Sequence, residues 1–123
     1  MDLNLNPGSN TIKFEGYGSG FFKLSGKKIK TSILIFPDRY IAIKSNKKNN
    51  IKNEIINYSN KYKIDLIIYG NPLGLESSKD LITKDLNSLN IPLEIMNTDA
   101  ACRTWTVLVS EGRCVCAFIK PQR

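Results

Sequence analysis

The chain is predicted to fold as a small α/β domain. Three observations predict it. Short alternating segments fill the first third of the sequence, punctuated by glycine-rich turns. An unbroken apolar run, Ile64 to Tyr69 with only Asp65 as an exception, marks a strand covered on both faces. After it, helical and extended periodicities alternate to the end of the chain. The length of 123 residues lies near the commonest single-domain size, so residues 1–123 are expected to form one domain.

Residues 1–10 are polar, hold Pro7-Gly8-Ser9-Asn10, and read as a lead-in arm. Thr11 to Glu15 alternates and reads as a strand. Gly16-Tyr17-Gly18-Ser19-Gly20 should then break it, with a bend or bulge where backbones approach closely. Phe21 to Leu24 resumes extended structure, Ser25-Gly26-Lys27 is a turn, and Ile29 to Phe36 reads as one further strand. Together these form an antiparallel meander. Pro37-Asp38-Arg39 turns the chain, Tyr40 to Ile43 is a short strand, and Ser45 to Asn50 is a solvated loop.

Ile51, Ile55, Tyr58 and Tyr62 recur at helical spacing and predict a first helix of about three turns. The central strand Ile64–Tyr69 ends in the loop Gly70-Asn71-Pro72-Leu73-Gly74. Ser77 followed by Asp80 reads as a cap with an acidic third residue. Ile82, Leu86 and Leu89 mark the inner face of the second helix, and Pro92 to Met96 is the next strand. This order predicts a parallel crossover. Thr98 and Asp99 read as the cap of a third helix, with Ala101, Thr104, Trp105 and Leu108 on one face and Gly112 as its stop. Arg113 to Ile119 is the last strand.

The net charge of +7 is uneven. Residues 1–63 carry 12 basic and 4 acidic side chains, and residues 64–123 carry 6 and 7. Such a surface suits nucleic acid or an anionic membrane. Only 4 of the 18 cations are arginine, however, while Lys, Asn and Ile number 14, 13 and 16. That bias reflects A/T-rich codons more than phosphate recognition, which favours arginine. Nucleic acid is therefore not the expected partner. No apolar run reaches the length of about 20 residues that a membrane-spanning helix needs, and the first residues lack a signal-peptide pattern. The expected location is cytoplasmic, or peripheral at an inner membrane, with the mitochondrial matrix as the organellar equivalent.

Histidine is absent, which removes Ser-His-Asp and Cys-His chemistry and the histidine-based zinc motifs. Cys114 and Cys116 lie two apart on one strand face and read as packing residues; Cys102 is the third cysteine, an odd count that does not suit a disulfide framework. No cofactor or metal is expected, and no catalytic residue is assigned.

The sharpest local feature joins the loop after the central strand to the start of the third helix. Gly70, Asn71, Thr98, Asp99, Cys102 and Arg103 are the candidate ligand-binding residues. Ligands of open α/β sheets gather beyond the carboxyl ends of strands, and the first N–H groups of a helix attract anions. Arg103 would add charge, and Cys102 would sit where a thiolate is favoured, as a redox-sensitive contact. In the plainer reading, Thr98 and Asp99 cap the helix, the alanines pack and Arg103 pairs with an acidic neighbour.

Glu94 to Trp105, with Ala100-Ala101-Cys102-Arg103-Thr104 at its centre, followed by Leu108 and Glu111-Gly112-Arg113, resembles the Mth-type (Mth938-like, DUF498) domain family. Gly16 to Phe22 and Asp65 to Gly70 look like that family's glycine-rich stretch and central strand. Asn97 stands where the family often has Asp, Asn71-Pro72 replaces Thr-Gly, and Ile41-Ala42-Ile43 replaces Arg-Pro-Trp. The resemblance implies a three-layer α/β fold around a mixed central sheet, with an N-terminal meander and about three helices. It implies no established catalysis. For the mitochondrial members it implies a role in assembling respiratory complex I. The expected function is thus that of a protein-binding module serving a membrane-associated complex, with an anionic membrane surface as a second contact. A small-anion or ligand-binding role, or an enzyme activity, at the 98–103 helix start is the first alternative, and nucleic-acid binding the second.

Overall fold

The computed structural model describes residues 12–44 and 51–122; the lead-in arm, Thr11 and the 45–50 loop lie outside the described residues. Two sheets form. The first is an antiparallel meander of β1 (Phe14–Gly18), β2 (Phe21–Leu24) and β3 (Lys27–Ile29). The second has five strands in the order β5-β4-β8-β6-β7, with β4 (Ser32–Phe36), β5 (Arg39–Ile43), β6 (Leu66–Gly70), β7 (Leu93–Met96) and β8 (Val115–Ile119). β8, β6 and β7 run parallel, and β4 is antiparallel to both β8 and β5, so the sheet is mixed.

Among the described residues three α-helices cover it: α1 (Ile51–Ser59), α2 (Leu81–Asn87) and α3 (Thr98–Ser110). The period-two pattern of the strands sends alternate side chains to opposite faces, and the core divides accordingly. One cluster joins Phe22 and Leu24 of the meander to Ile35, Ile68 and Ala117 of the sheet and to Ala101 and Trp105 of α3. The other joins Leu34, Tyr69, Cys116 and Phe118 to Ile55 and Tyr58 of α1 and Leu86 of α2. The result is three layers: meander and α3, the mixed sheet, then α1 and α2. β6 and β8 are buried along their whole lengths, which is why both read as continuous apolar runs. Trp105 lies in the core, its Nε1 donating to the Val115 carbonyl at 3.0 Å.

Four local expectations are corrected. The first strand does not stop at Gly16. It carries Gly16 and Gly18 within it, and a register shift between Phe14 and Gly16 supplies the bulge. Ile29 to Phe36 is not one strand, because Lys30 and Thr31 carry the chain from the meander to the main sheet. The cap of α2 is Asp80, whose carboxylate accepts from the Thr83 N–H at 2.8 Å; Ser77 ends a 3₁₀ turn (Gly74–Ser77) instead. The cap of α3 is Asn97, whose side-chain oxygen accepts from the Ala100 N–H at 2.8 Å, and Thr98 and Asp99 are already helical. Tyr62 falls beyond the end of α1 but packs against the same core. Gly112, with φ +85°, stops α3 as expected. Among the described residues no helix is long and apolar enough to cross a membrane.

Candidate binding rim at the strand ends

β6 and β7 are parallel neighbours with Gly70 opposite Met96, so the segments after them reach the same rim of the sheet. There the six expected residues part company. Gly70 lies directly against the Ala101 methyl, and a side chain at 70 would overlap it and crowd Ile119. The space between the central strand and the helix start is therefore filled. Thr98 is fully buried and its hydroxyl donates to the Lys120 carbonyl at 2.8 Å. Asp99 accepts from Gln122 Nε2 at 2.9 Å. These two residues fasten the segment after β8 to the start of α3.

Asn71 is buried in the rim loop. Its Nδ2 donates to the Ser77 hydroxyl at 2.7 Å and its Oδ1 accepts from the Leu73 N–H at 2.9 Å. Cys102 faces the meander side and is 2% exposed. Burial and the neighbouring Asp99 push its thiol up to about 12, against the smaller pull of Arg103. Burial thus works against the thiolate expected from its place in the first turn. Arg103 is exposed and donates to the Tyr17 hydroxyl at 3.2 Å, with an aromatic partner in place of an acidic one. It borders a separate shallow groove between β1 and α3. Asn71 lies on one part of the rim and Arg103 on another face, so the six do not line one pocket.

A different set converges at the rim. Beyond its carboxyl end, β6 leads through Asn71 towards α2 on one face of the sheet, while β8 leads through Lys120 to Gln122, which pairs with Ser19 of the meander side. Adjacent parallel strands whose continuations diverge leave a crevice between them, the usual ligand position in such sheets. Here it holds about 450 Å³ and is lined by Tyr69, Asn71, Ser77, Asp80, Lys120 and Gln122. The Tyr69 hydroxyl donates to Asp80 at 2.8 Å, and the Lys120 ammonium lies 5.7 Å from the Tyr69 ring centre. Burial and the Asp80 hydrogen bond raise the Tyr69 hydroxyl, which stays protonated. Burial alone would raise the Asp80 carboxyl too. Hydrogen bonds from the Thr83 N–H and Tyr69, with the Lys120 charge, outweigh it and hold that carboxyl below its ordinary value. Each Asp80 oxygen accepts one of these hydrogen bonds, so the cluster braces the loop.

Sequence reading missed Tyr69, Lys120 and Gln122. The available signal was a single charge ending an otherwise apolar strand, at Lys120. It also missed what the brace supports. Leu73, Leu75 and Leu81 stand 64%, 71% and 77% exposed on the loop and the first residue of α2.

Known structures carry the same architecture. A crystal structure from Bartonella henselae, described as an outer membrane protein, superposes with a TM-score of 0.75 at 22% identity, covering 93% of this chain and 98% of that one. A Bordetella parapertussis protein gives 0.69 at 17% identity over the same shares. A Mth938-like domain of Bordetella pertussis gives 0.63 at 18%, covering 98% and 92%. At these identities the likeness is one of fold. No curated protein matches the sequence. Residues 14–120 match the family described as protein of unknown function (DUF498/DUF598), a span that runs from the first meander strand to Lys120 at the rim, and the chain belongs to that family.

Proposed function

We propose that the chain is a protein-binding module whose docking surface is the rim loop between β6 and α2. The observation that carries this reading is the display of Leu73, Leu75 and Leu81 on a loop braced by Asn71, Ser77 and Asp80. Apolar side chains scattered singly on a surface need no explanation, but three strongly exposed leucines within nine residues are the kind of display that suits an interaction site. The loop's own polar groups are consumed internally by Asn71, Ser77, Thr83 and Asp80. A pre-ordered loop loses little entropy on binding, so its leucines contribute most of their burial to affinity. The family resemblance points to subunits of a membrane-associated complex, respiratory complex I among them, as the partner class.

The test is quantitative affinity capture from cells in which the protein is native, comparing wild type with Leu73→Ser/Leu75→Ser/Leu81→Ser. These positions are exposed, so the variant should melt within a few degrees of wild type. Capture of a defined set of membrane-complex subunits by wild type, reduced at least tenfold in the variant, supports the reading. Equal capture by both proteins, or wild-type binding to anionic vesicles with no protein partner, overturns it.

A further inference from the structure

A second concavity shares Lys120 with the rim crevice, and it leads beyond protein docking. We infer that the pocket between α1, α2 and the ends of β4, β5 and β8 binds a small amphipathic anion, an apolar body carrying a carboxylate or phosphate head. The pocket holds about 560 Å³, inside the range of about 300–1,000 Å³ typical of small-molecule sites. Its floor is apolar. Phe118 and Ile51 are buried members of the helix-side core, and Ile43 and Ile82 are left partly open above them.

The rim is cationic. Lys30 comes from the link between the two sheets, Lys44 from the end of β5 and Lys120 from the end of β8. Strand register brings them together. Ser32 pairs with Ile43 and Ile33 with Ile119, so the residues flanking these pairs gather at one end of the sheet. Lysines from three separate elements border the pocket, and none of the described residues that line it is acidic. Asp80, in the neighbouring crevice, offsets part of the Lys120 charge, and in a concave site with low-dielectric walls the remaining excess of like charge focuses a positive potential. An anionic head placed among them relieves that repulsion, while its apolar body covers Ile82 and Phe118. Ser32 adds a hydroxyl donor for the head, while the Thr31 hydroxyl already donates to the Ser32 carbonyl at 3.1 Å. An adjoining crevice of about 380 Å³ shares Lys30, Ser32 and Lys120, giving the head a route to solvent. The apolar floor is recessed, which suits a single free molecule better than the flat surface of a bilayer.

Decanoate, decyl phosphate, decanol and inorganic phosphate, each below its micellar concentration, are the probes, read by amide chemical shifts and calorimetry at low ionic strength. Phosphatidylglycerol vesicles, read by co-sedimentation, form a separate arm. Decanoate and decyl phosphate should bind saturably, shifting the amides of Ile43, Ile82 and Phe118. Decanol and inorganic phosphate should each bind at least tenfold more weakly. Lys30→Gln/Lys44→Gln/Lys120→Gln should weaken decanoate at least tenfold, and Lys44→Gln alone, at an exposed strand end, should weaken it severalfold with an unchanged melt. Ile82→Trp, which fills the pocket and keeps every lysine, should abolish binding. The inference is overturned by non-saturable shifts, by shifts that map elsewhere, by unchanged affinity in the lysine variants, or by co-sedimentation with vesicles without binding of the free probes.

Discussion

The α-carbon of Gly70, the last residue of β6, lies against the methyl group of Ala101 in the first turn of α3. This contact sets how closely the helix approaches the central strand. No special backbone angle requires glycine at 70; the requirement is space. Gly70→Ala is expected to cost about 1–3 kcal/mol, the usual penalty for overpacking a filled core. Ala101→Gly reopens the space at the cost of about 1 kcal/mol for glycine in a helix. The double variant should therefore be more stable than the sum of the two single changes, by about 1 kcal/mol or more. Urea denaturation of the four proteins checks this, and strict additivity would show that the two residues do not share one space.

All three cysteines are buried and free. Burial, with Asp99 beside Cys102 and Asp65 and Asp38 near Cys114, pushes both of those thiols up to about 12, and complete burial raises Cys116 as well. The unfolded chain releases its thiol protons near about pH 8.5. The folded chain keeps them, so the unfolded state binds fewer protons in the alkaline range. The stability linked to the thiols is then complete below about pH 8.5 and lost as pH rises towards the folded values, by up to about 1.4 kcal/mol per pH unit for each thiol. Denaturation at pH 7.5, 9 and 10 under reducing conditions should show this fall. It should be shallower in Cys102→Ala, measured against its own value at pH 7.5. Alkylation of the native protein at pH 8.5 should be at least a hundredfold slower than in urea; rapid labelling of Cys102 would contradict its burial.

Whatever was buried on both faces or repeated at helical spacing could be read from the sequence. β6 and β8 are uninterrupted apolar runs because no face of either meets water, and Ala101 and Trp105 keep the spacing of an inward helix face. The break at Lys30 and Thr31 could not be read, because the residues on both sides favour extended structure and only the competition between two sheets divides them. At the start of α3, three consecutive residues can cap. The structure takes Asn97, while the Thr98 side chain is buried with its hydroxyl donating to the Lys120 carbonyl. The rim was foreseen as a meeting of two segments, and that meeting occurs. Its contents were not foreseen. Gly70 and Ala101 close the expected space, and the crevice opens instead beside Lys120, which local pattern presents as no more than a polar strand end. Leu73, Leu75 and Leu81 carry no mark in the sequence that separates an exposed leucine from a core one.

Asp80 couples the cap of α2 to the central strand, because one carboxylate oxygen holds the Thr83 N–H and the other the Tyr69 hydroxyl. Asp80→Ala removes the cap and leaves the hydroxyl unpaired, at an expected cost of about 1–3 kcal/mol. Asp80→Asn keeps a capping oxygen and should cost less. Because the folded carboxyl is held below its ordinary value, its charge contributes stability above the unfolded value of about pH 3.9. That contribution is lost as pH falls through the lower, folded value. The advantage of wild type over Asp80→Asn should therefore be full at pH 6 and shrink towards pH 3. Combining each change with Tyr69→Phe separates the two bonds: a coupling of about 0.5 kcal/mol or more between positions 69 and 80 assigns the hydroxyl to the brace. Equal stability of Asp80→Asn and wild type at both pH values, with no coupling to Tyr69, would mean that Asp80 acts as a helix cap alone and that the rim loop is not tied to β6 through it.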